Sequence, residues 1–161
     1  MKSLWVVFTN AFVFFGTTLY VGVLWALHFF WFPSWTNLTA ENYYDQFIPQ
    51  TSTATEFFTV LVPLMFLGHL IMCWKEWKTR MRWTSLAALA CLSAATYVGT
   101  LHIIPVNKIL AGRLTDQAQV TDLLKQWMSL NDIRMVLMTL GWVVMMYYFG
   151  SKAYRADRAG L

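Results

Sequence analysis

The stretch that decides the fold is T-L-H-I-I-P-V-N-K-I-L, residues 100–110, followed after an interval by W-M-S-L-N-D-I-R, residues 127–134. The first part ends one hydrophobic segment and the second begins another. A histidine, two asparagines and an arginine therefore stand where two apolar segments meet water. Polar side chains inside a membrane are costly, so they usually face other helices or a functional site. We interpret the rest of the chain as a scaffold that delivers side chains to this region.

Composition indicates a membrane protein. The chain has 161 residues, of which 58% are hydrophobic and 12% are charged, about half the charged fraction of a soluble domain. Four apolar runs reach or approach the roughly 20 residues that a helix needs to cross a bilayer. We therefore predict an all-α membrane protein, an up-down bundle of four transmembrane helices in one domain, residues 1–161. The predicted helices are residues 5–32, 57–74, 83–104 and 133–149.

The basic residues predict the orientation. The N-terminus, the second connection and the C-terminal tail hold most of them: Lys2, Lys75, Lys78, Arg80, Arg82, Lys152, Arg155 and Arg158. Positive charge marks the cytoplasmic side, so we predict the bacterial inner (cytoplasmic) membrane with both termini in the cytoplasm. Such a rim sets topology and contacts anionic lipid. Its pattern does not indicate nucleic-acid binding.

Two connections contain further apolar periodicity. The spacing of residues 43–48 and of residues 120–127 predicts two short amphipathic helices on the outer (periplasmic) face. Three prolines are expected to end helices, because proline lacks the backbone N–H: Pro33 for helix one, Pro49 for the first amphipathic helix and Pro105 for helix three. Residues 129–132 are expected to cap helix four, and Gly150 to close it.

Two predicted helices have faces whose composition indicates how they pack. On helix three the small residues Ala88, Cys91, Ala95 and Gly99 share a face that leads to His102. Small residues in register let two helices approach closely in a membrane. On helix four one face carries Arg134, Met138, Gly141, Met145 and Tyr148.

The predicted topology brings His28, Glu56, His102 and Arg134 to one membrane level. Two histidines and a carboxylate suit a transition metal, so His28, His102 and Glu56 are candidate metal ligands. Two histidines on separate helices could instead bind haem. Interfacial histidines are also common as simple hydrogen-bonding residues. The cofactor alternatives are iron, copper, haem or none.

The segments H-I-I-P-V-N-K-I-L and W-x-x-x-N-D-I-R resemble the anthrone oxygenase-like family of small four-helix membrane proteins. The resemblance is clearest at Pro105, Asn107, Leu110, Trp127, Asn131 and Arg134. It implies a four-helix membrane fold. For the characterised members it implies oxidation of an anthrone, a reduced tricyclic polyphenol, to a quinone by dioxygen.

The first functional hypothesis is an oxidoreductase acting on a small apolar or phenolic substrate near the outer leaflet. His28, His102, Glu56 and Arg134 are the candidate catalytic residues, with histidine as general base and Arg134 orienting a phenolate. Candidate substrate-binding residues are Asn107, Asn131, Trp31 and Trp127. The alternatives are a non-catalytic membrane subunit or lipid-binding module, and a haem-binding electron carrier. The expected partners are the lipid bilayer, a small apolar substrate and, in a homo-oligomer, further copies of the chain.

Overall fold

Four long helices make up the fold. The computed structural model describes residues 4–158. Helices α1 (Leu4–Trp35), α2 (Tyr43–Glu76), α3 (Arg82–Leu110) and α4 (Gln117–Arg158) are each long and apolar enough to cross a membrane. No strand occurs within this described part. The prediction of an all-α architecture with four such helices is confirmed.

The helices close into a ring. Each contacts its neighbours along the chain, and α4 packs back against α1, which is the arrangement of an up-down bundle. The outward surface remains strongly apolar, with exposed residues that include Phe8, Phe30, Leu67, Trp74, Leu101 and Val143. Large exposed apolar surface of this kind is uncommon on soluble monomers.

The predicted faces of α3 and α4 pack together. Ala88 and Ala95 are buried, as are Met138 and Met145. A Cβ added at Gly141 would lie 3.0 Å from the Cβ of Cys91, so the glycine permits the close approach of the two helices.

The three prolines do not end their helices. Pro49 lies inside α2, near its beginning. Pro33 and Pro105 each lie in the first turn of a short α-helical segment that continues α1 or α3. The predictions of helix ends at all three prolines were wrong. A helix can continue past a proline with the loss of one backbone hydrogen bond, as α2 does at Pro49, and a π-helical turn immediately precedes the segments with Pro33 and Pro105.

The two amphipathic segments are not separate helices. Residues 43–48 begin α2 and residues 120–127 lie within α4. Their apolar side chains are buried against the loop after α1 in one core cluster, which contains Phe32, Trp35, Leu38, Tyr43, Phe47, Val120, Leu124 and Trp127. The apolar faces of these two segments are therefore buried against other parts of the protein. Likewise residues 129–132 lie inside α4, which continues past Gly150 to Arg158, so no cap or helix end occurs at either place.

Each half of the chain repeats one element order. In α1 a π-helical segment, Leu27–Trp31, is followed by a short α-helical segment with proline second, and then by the long helix α2. In α3 the π-helical segment Gly99–Ile103 is followed in the same way, and then by α4. π-helical turns inside α-helices frequently occur at functional sites.

Candidate functional site

A cavity of about 490 Å³ lies between the four helices. Its lining comes from residues 20–35 of α1, 50–63 of α2, 96–107 of α3 and 127–134 of α4. Both π-helical segments contribute to the wall, through Leu27 and Trp31 and through Gly99, Thr100 and Ile103. The volume falls within the range of small-molecule sites.

Among residues 4–158, Arg134 is the only charged residue that lines this cavity. Its Nη1 donates to the Oδ1 of Asn131 at 2.8 Å, and its Nη2 donates to the hydroxyl oxygen of Tyr20. The ion pairs among residues 4–158 are His28 with Asp132 and Lys152 with Glu76, and neither includes Arg134. Arg134 therefore faces the cavity, and no carboxylate in this part of the chain pairs with it.

One donor of Arg134 is unused. Its Nε is buried and has no hydrogen-bond partner within the described part of the chain. An unsatisfied buried donor costs about 1–3 kcal/mol. The backbone of Gly99 lies against the guanidinium, since an added Cβ would be at ordinary van der Waals distance, 3.6 Å from the Cζ of Arg134. The Nε is therefore covered by protein, and a ligand would meet the guanidinium where Arg134 lines the cavity.

The side chains around Arg134 form a hydrogen-bonded chain. The Nδ2 of Asn131 donates to the backbone oxygen of Trp127 at 2.9 Å. The Nε1 of Trp127 donates to the Oδ1 of Asn107 at 2.7 Å. Trp127 packs against Phe47, with ring centroids 5.0 Å apart. These contacts hold the side chains around Arg134 in place, so the polar part of the site has one arrangement.

The predicted substrate-binding residues converge and the predicted metal ligands do not. Asn107, Asn131, Trp31 and Trp127 all line the cavity together with Arg134, and the lining does not include His28, His102 or Glu56. No group of three or more His, Cys, Asp or Glu side chains that could hold a metal ion occurs in residues 4–158. Residues 4–158 therefore contain no set of three side chains placed to bind a metal ion together.

The two histidines lie in the π-helical segments. The Nδ1 of His28 and the Oδ1 of Asp132 are 2.7 Å apart, which ties α1 to α4. His102 is exposed, although Ala95 of the same predicted face is fully buried. The wider π-helical turn from Gly99 to Ile103 changes the register of α3 between these positions. Continuing an ideal α-helical face to His102 was therefore wrong.

Sequence reasoning missed several lining residues. Tyr20 lies on the same face of α1 as Leu24 and Leu27, at helical spacing, and all three line the cavity, so periodicity could have found it. Thr51, Thr55 and Thr59 also line the cavity, and their spacing of four residues is a helical-face signal. His69 does not line the cavity; its Nδ1 donates to the backbone oxygen of Met65 in its own helix.

A second polar cluster lies toward the other end of the bundle. The carboxylate of buried Glu76 accepts from Lys152, from the hydroxyl of Tyr148 at 2.9 Å and from that of Thr79 at 2.7 Å. Every group in this cluster has a partner, which is the pattern of a structural tie between α2 and α4. The Arg134 cluster differs, because the Nε of Arg134 has no hydrogen-bond partner among residues 4–158.

No protein-family model, curated protein or solved structure matches the chain.

Proposed function

We propose that the chain is an integral membrane protein that binds a small, largely apolar molecule with an acceptor oxygen, and that it oxidises phenolic molecules of this class with dioxygen. The guanidinium of Arg134, which has no carboxylate partner among residues 4–158, at the wall of an otherwise uncharged cavity is the observation that carries the proposal. A phenolate, enolate or carbonyl oxygen would accept from Arg134, and the Tyr20 hydroxyl supplies a second donor. The aromatic lining, including Trp31 and Trp127, suits the ring of such a ligand.

The charge distribution supports the orientation. The connection between α2 and α3 carries Lys78 and Arg80, and the end of α4 carries Arg155 and Arg158. The positive-inside rule places these segments in the cytoplasm of a bacterium. In this orientation the cavity lies in the outer half of the bilayer. An apolar ligand would then reach it from the outer leaflet.

Stabilising the ionised oxygen of a phenol makes its ring more electron-rich and easier to oxidise. In the reaction that the family resemblance implies, dioxygen is the oxidant. The anthrone methylene becomes a carbonyl with one oxygen atom, and its two hydrogens leave with the other atom as water. Arg134 and Tyr20 would hold the oxygen of the reacting ring. His28, His102 and Glu56 stay our candidates for the base; because none of them lines the cavity, a proton would pass from the ligand to the base through an intervening group. His28 is the first candidate, since it is paired with Asp132.

Binding of 2-naphthol tests the site. The purified protein in mild detergent is titrated by fluorescence with 2-naphthol and with naphthalene, for the wild type and for Arg134→Gln. A charge-assisted hydrogen bond contributes about 1.5–3 kcal/mol, so we expect the variant to bind 2-naphthol roughly tenfold or more weakly. Naphthalene binding should not change. Equal affinities of the two proteins for 2-naphthol would refute the role of Arg134.

Oxidation is tested separately. Oxygen uptake with anthrone, above the rate without protein, would support the enzyme. Binding without oxygen uptake would favour a non-catalytic lipophile-binding module. Mass-spectrometric metal analysis and a visible absorption spectrum of the same preparation distinguish iron, copper and haem chemistry from cofactor-independent oxidation.

A further inference from the structure

A row of threonines on α2 forms part of the cavity wall. Thr51, Thr55 and Thr59 all line the cavity. Residues four apart in an α-helix lie on one face, about 6 Å apart along the axis. Three hydroxyl-bearing side chains thus follow one side of the cavity, whereas Arg134 reaches the cavity from α4.

Each of the three threonine hydroxyls donates its hydrogen bond to a backbone carbonyl. The Oγ1 of Thr51 donates to the carbonyl of Phe47 at 2.9 Å, that of Thr55 to the carbonyl of Thr51 at 2.7 Å, and that of Thr59 to the carbonyl of Thr55 at 2.7 Å. A hydroxyl oxygen that donates keeps lone pairs that can accept. The threonine row therefore offers acceptors, and the Arg134 cluster offers donors.

The row borders an opening of the cavity. Thr55 and Thr59 of α2 remain exposed, as do Thr100 and Ile104 of α3, and all four line the cavity. The cavity therefore opens sideways between these two helices. Val60 and Leu101, which follow Thr59 and Thr100 in the sequence, are exposed apolar residues. A ligand entering from lipid would pass along the threonine row.

We infer that the threonine row selects ligands with a hydroxyl group remote from the acceptor oxygen that Arg134 binds. This inference rests on the proposed function and narrows its substrate class to aromatic molecules with at least two oxygens. One oxygen accepts from Arg134. A second, as a hydroxyl, donates to Thr55 or Thr59. An aromatic monophenol fills only the first position.

Three naphthalene probes test the inference: 2-naphthol, 2,6-dihydroxynaphthalene and 6-methoxy-2-naphthol. The dihydroxy compound has a remote donor, and the methoxy compound replaces it with an acceptor. We expect the wild type to prefer the dihydroxy to the methoxy compound by roughly two- to tenfold, the range for one neutral hydrogen bond. The double variant Thr55→Val, Thr59→Val should lose this preference, so that its affinities for the dihydroxy and the methoxy compound become equal.

Matched controls separate selection from stability. Thr53 makes the same kind of bond, to the carbonyl of Pro49 at 3.0 Å, but the cavity lining does not include it, so Thr53→Val should keep the preference. Thr55→Ser with Thr59→Ser retains both hydroxyls and should also keep it. A preference that survives the double valine variant, or is absent in the wild type, overturns the inference. Loss of 2-naphthol binding by the wild type, or its independence from Arg134, overturns the proposed function as well.

Discussion

Replacing Arg134 by methionine distinguishes a ligand-binding arginine from one that holds the bundle together. Methionine keeps a long apolar side chain and removes the charge. The change loses two hydrogen bonds, to Asn131 and Tyr20, each contributing about 1.5–3 kcal/mol because the guanidinium is charged. It also removes the buried Nε, whose lack of a partner costs the folded protein about 1–3 kcal/mol. The central values leave a net loss of stability of about 2–3 kcal/mol.

We therefore expect Arg134→Met to lower the free energy of unfolding by no more than about 3 kcal/mol, and to weaken 2-naphthol binding strongly. Reversible unfolding in mixed micelles measures the stability, and fluorescence titration measures the binding.

Lys152→Met is the matched control. Lys152 is paired with Glu76, whose side chain is only 8% exposed. Its removal leaves that carboxylate without its cationic partner, so we expect a loss of about 1–3 kcal/mol and no change in 2-naphthol affinity. If Arg134→Met instead loses more than about 3 kcal/mol and still binds 2-naphthol normally, Arg134 is structural and the reasoning is wrong.

Two further predictions concern packing and catalysis. Gly141→Ala should destabilise the bundle by about 1–3 kcal/mol, because the new Cβ meets Cys91 at 3.0 Å. Gly150→Ala, which meets nothing within 4 Å, should stabilise α4 by up to about 1 kcal/mol; equal effects of the two changes in the unfolding assay would contradict the close α3–α4 contact. His28→Ala should lower the oxygen uptake with anthrone, with 2-naphthol affinity retained, if His28 is the base. Full turnover by both His28→Ala and His102→Ala would remove histidine from the mechanism.

The long apolar runs and the periodic helix faces gave the most accurate predictions from the sequence. The four runs predicted the four helices, and the faces of Ala88 and Ala95 and of Met138 and Met145 were confirmed as buried. These predictions succeeded because every turn of a helix repeats the same signal. Asn107, Asn131 and Arg134 line a common cavity, and all three lie near ends of consecutive hydrophobic runs.

The sequence by itself determined an all-helical chain with four helices that are long and apolar enough to span a membrane, because length and hydrophobicity depend only on local composition. Only the tertiary structure decided which polar groups meet. Two π-helical turns shift the register of α1 and α3 near His28 and His102, and no pattern in the local sequence predicted these turns. The free Nε of Arg134 likewise depends on which side chains three other helices bring to it, and such contacts are set by packing.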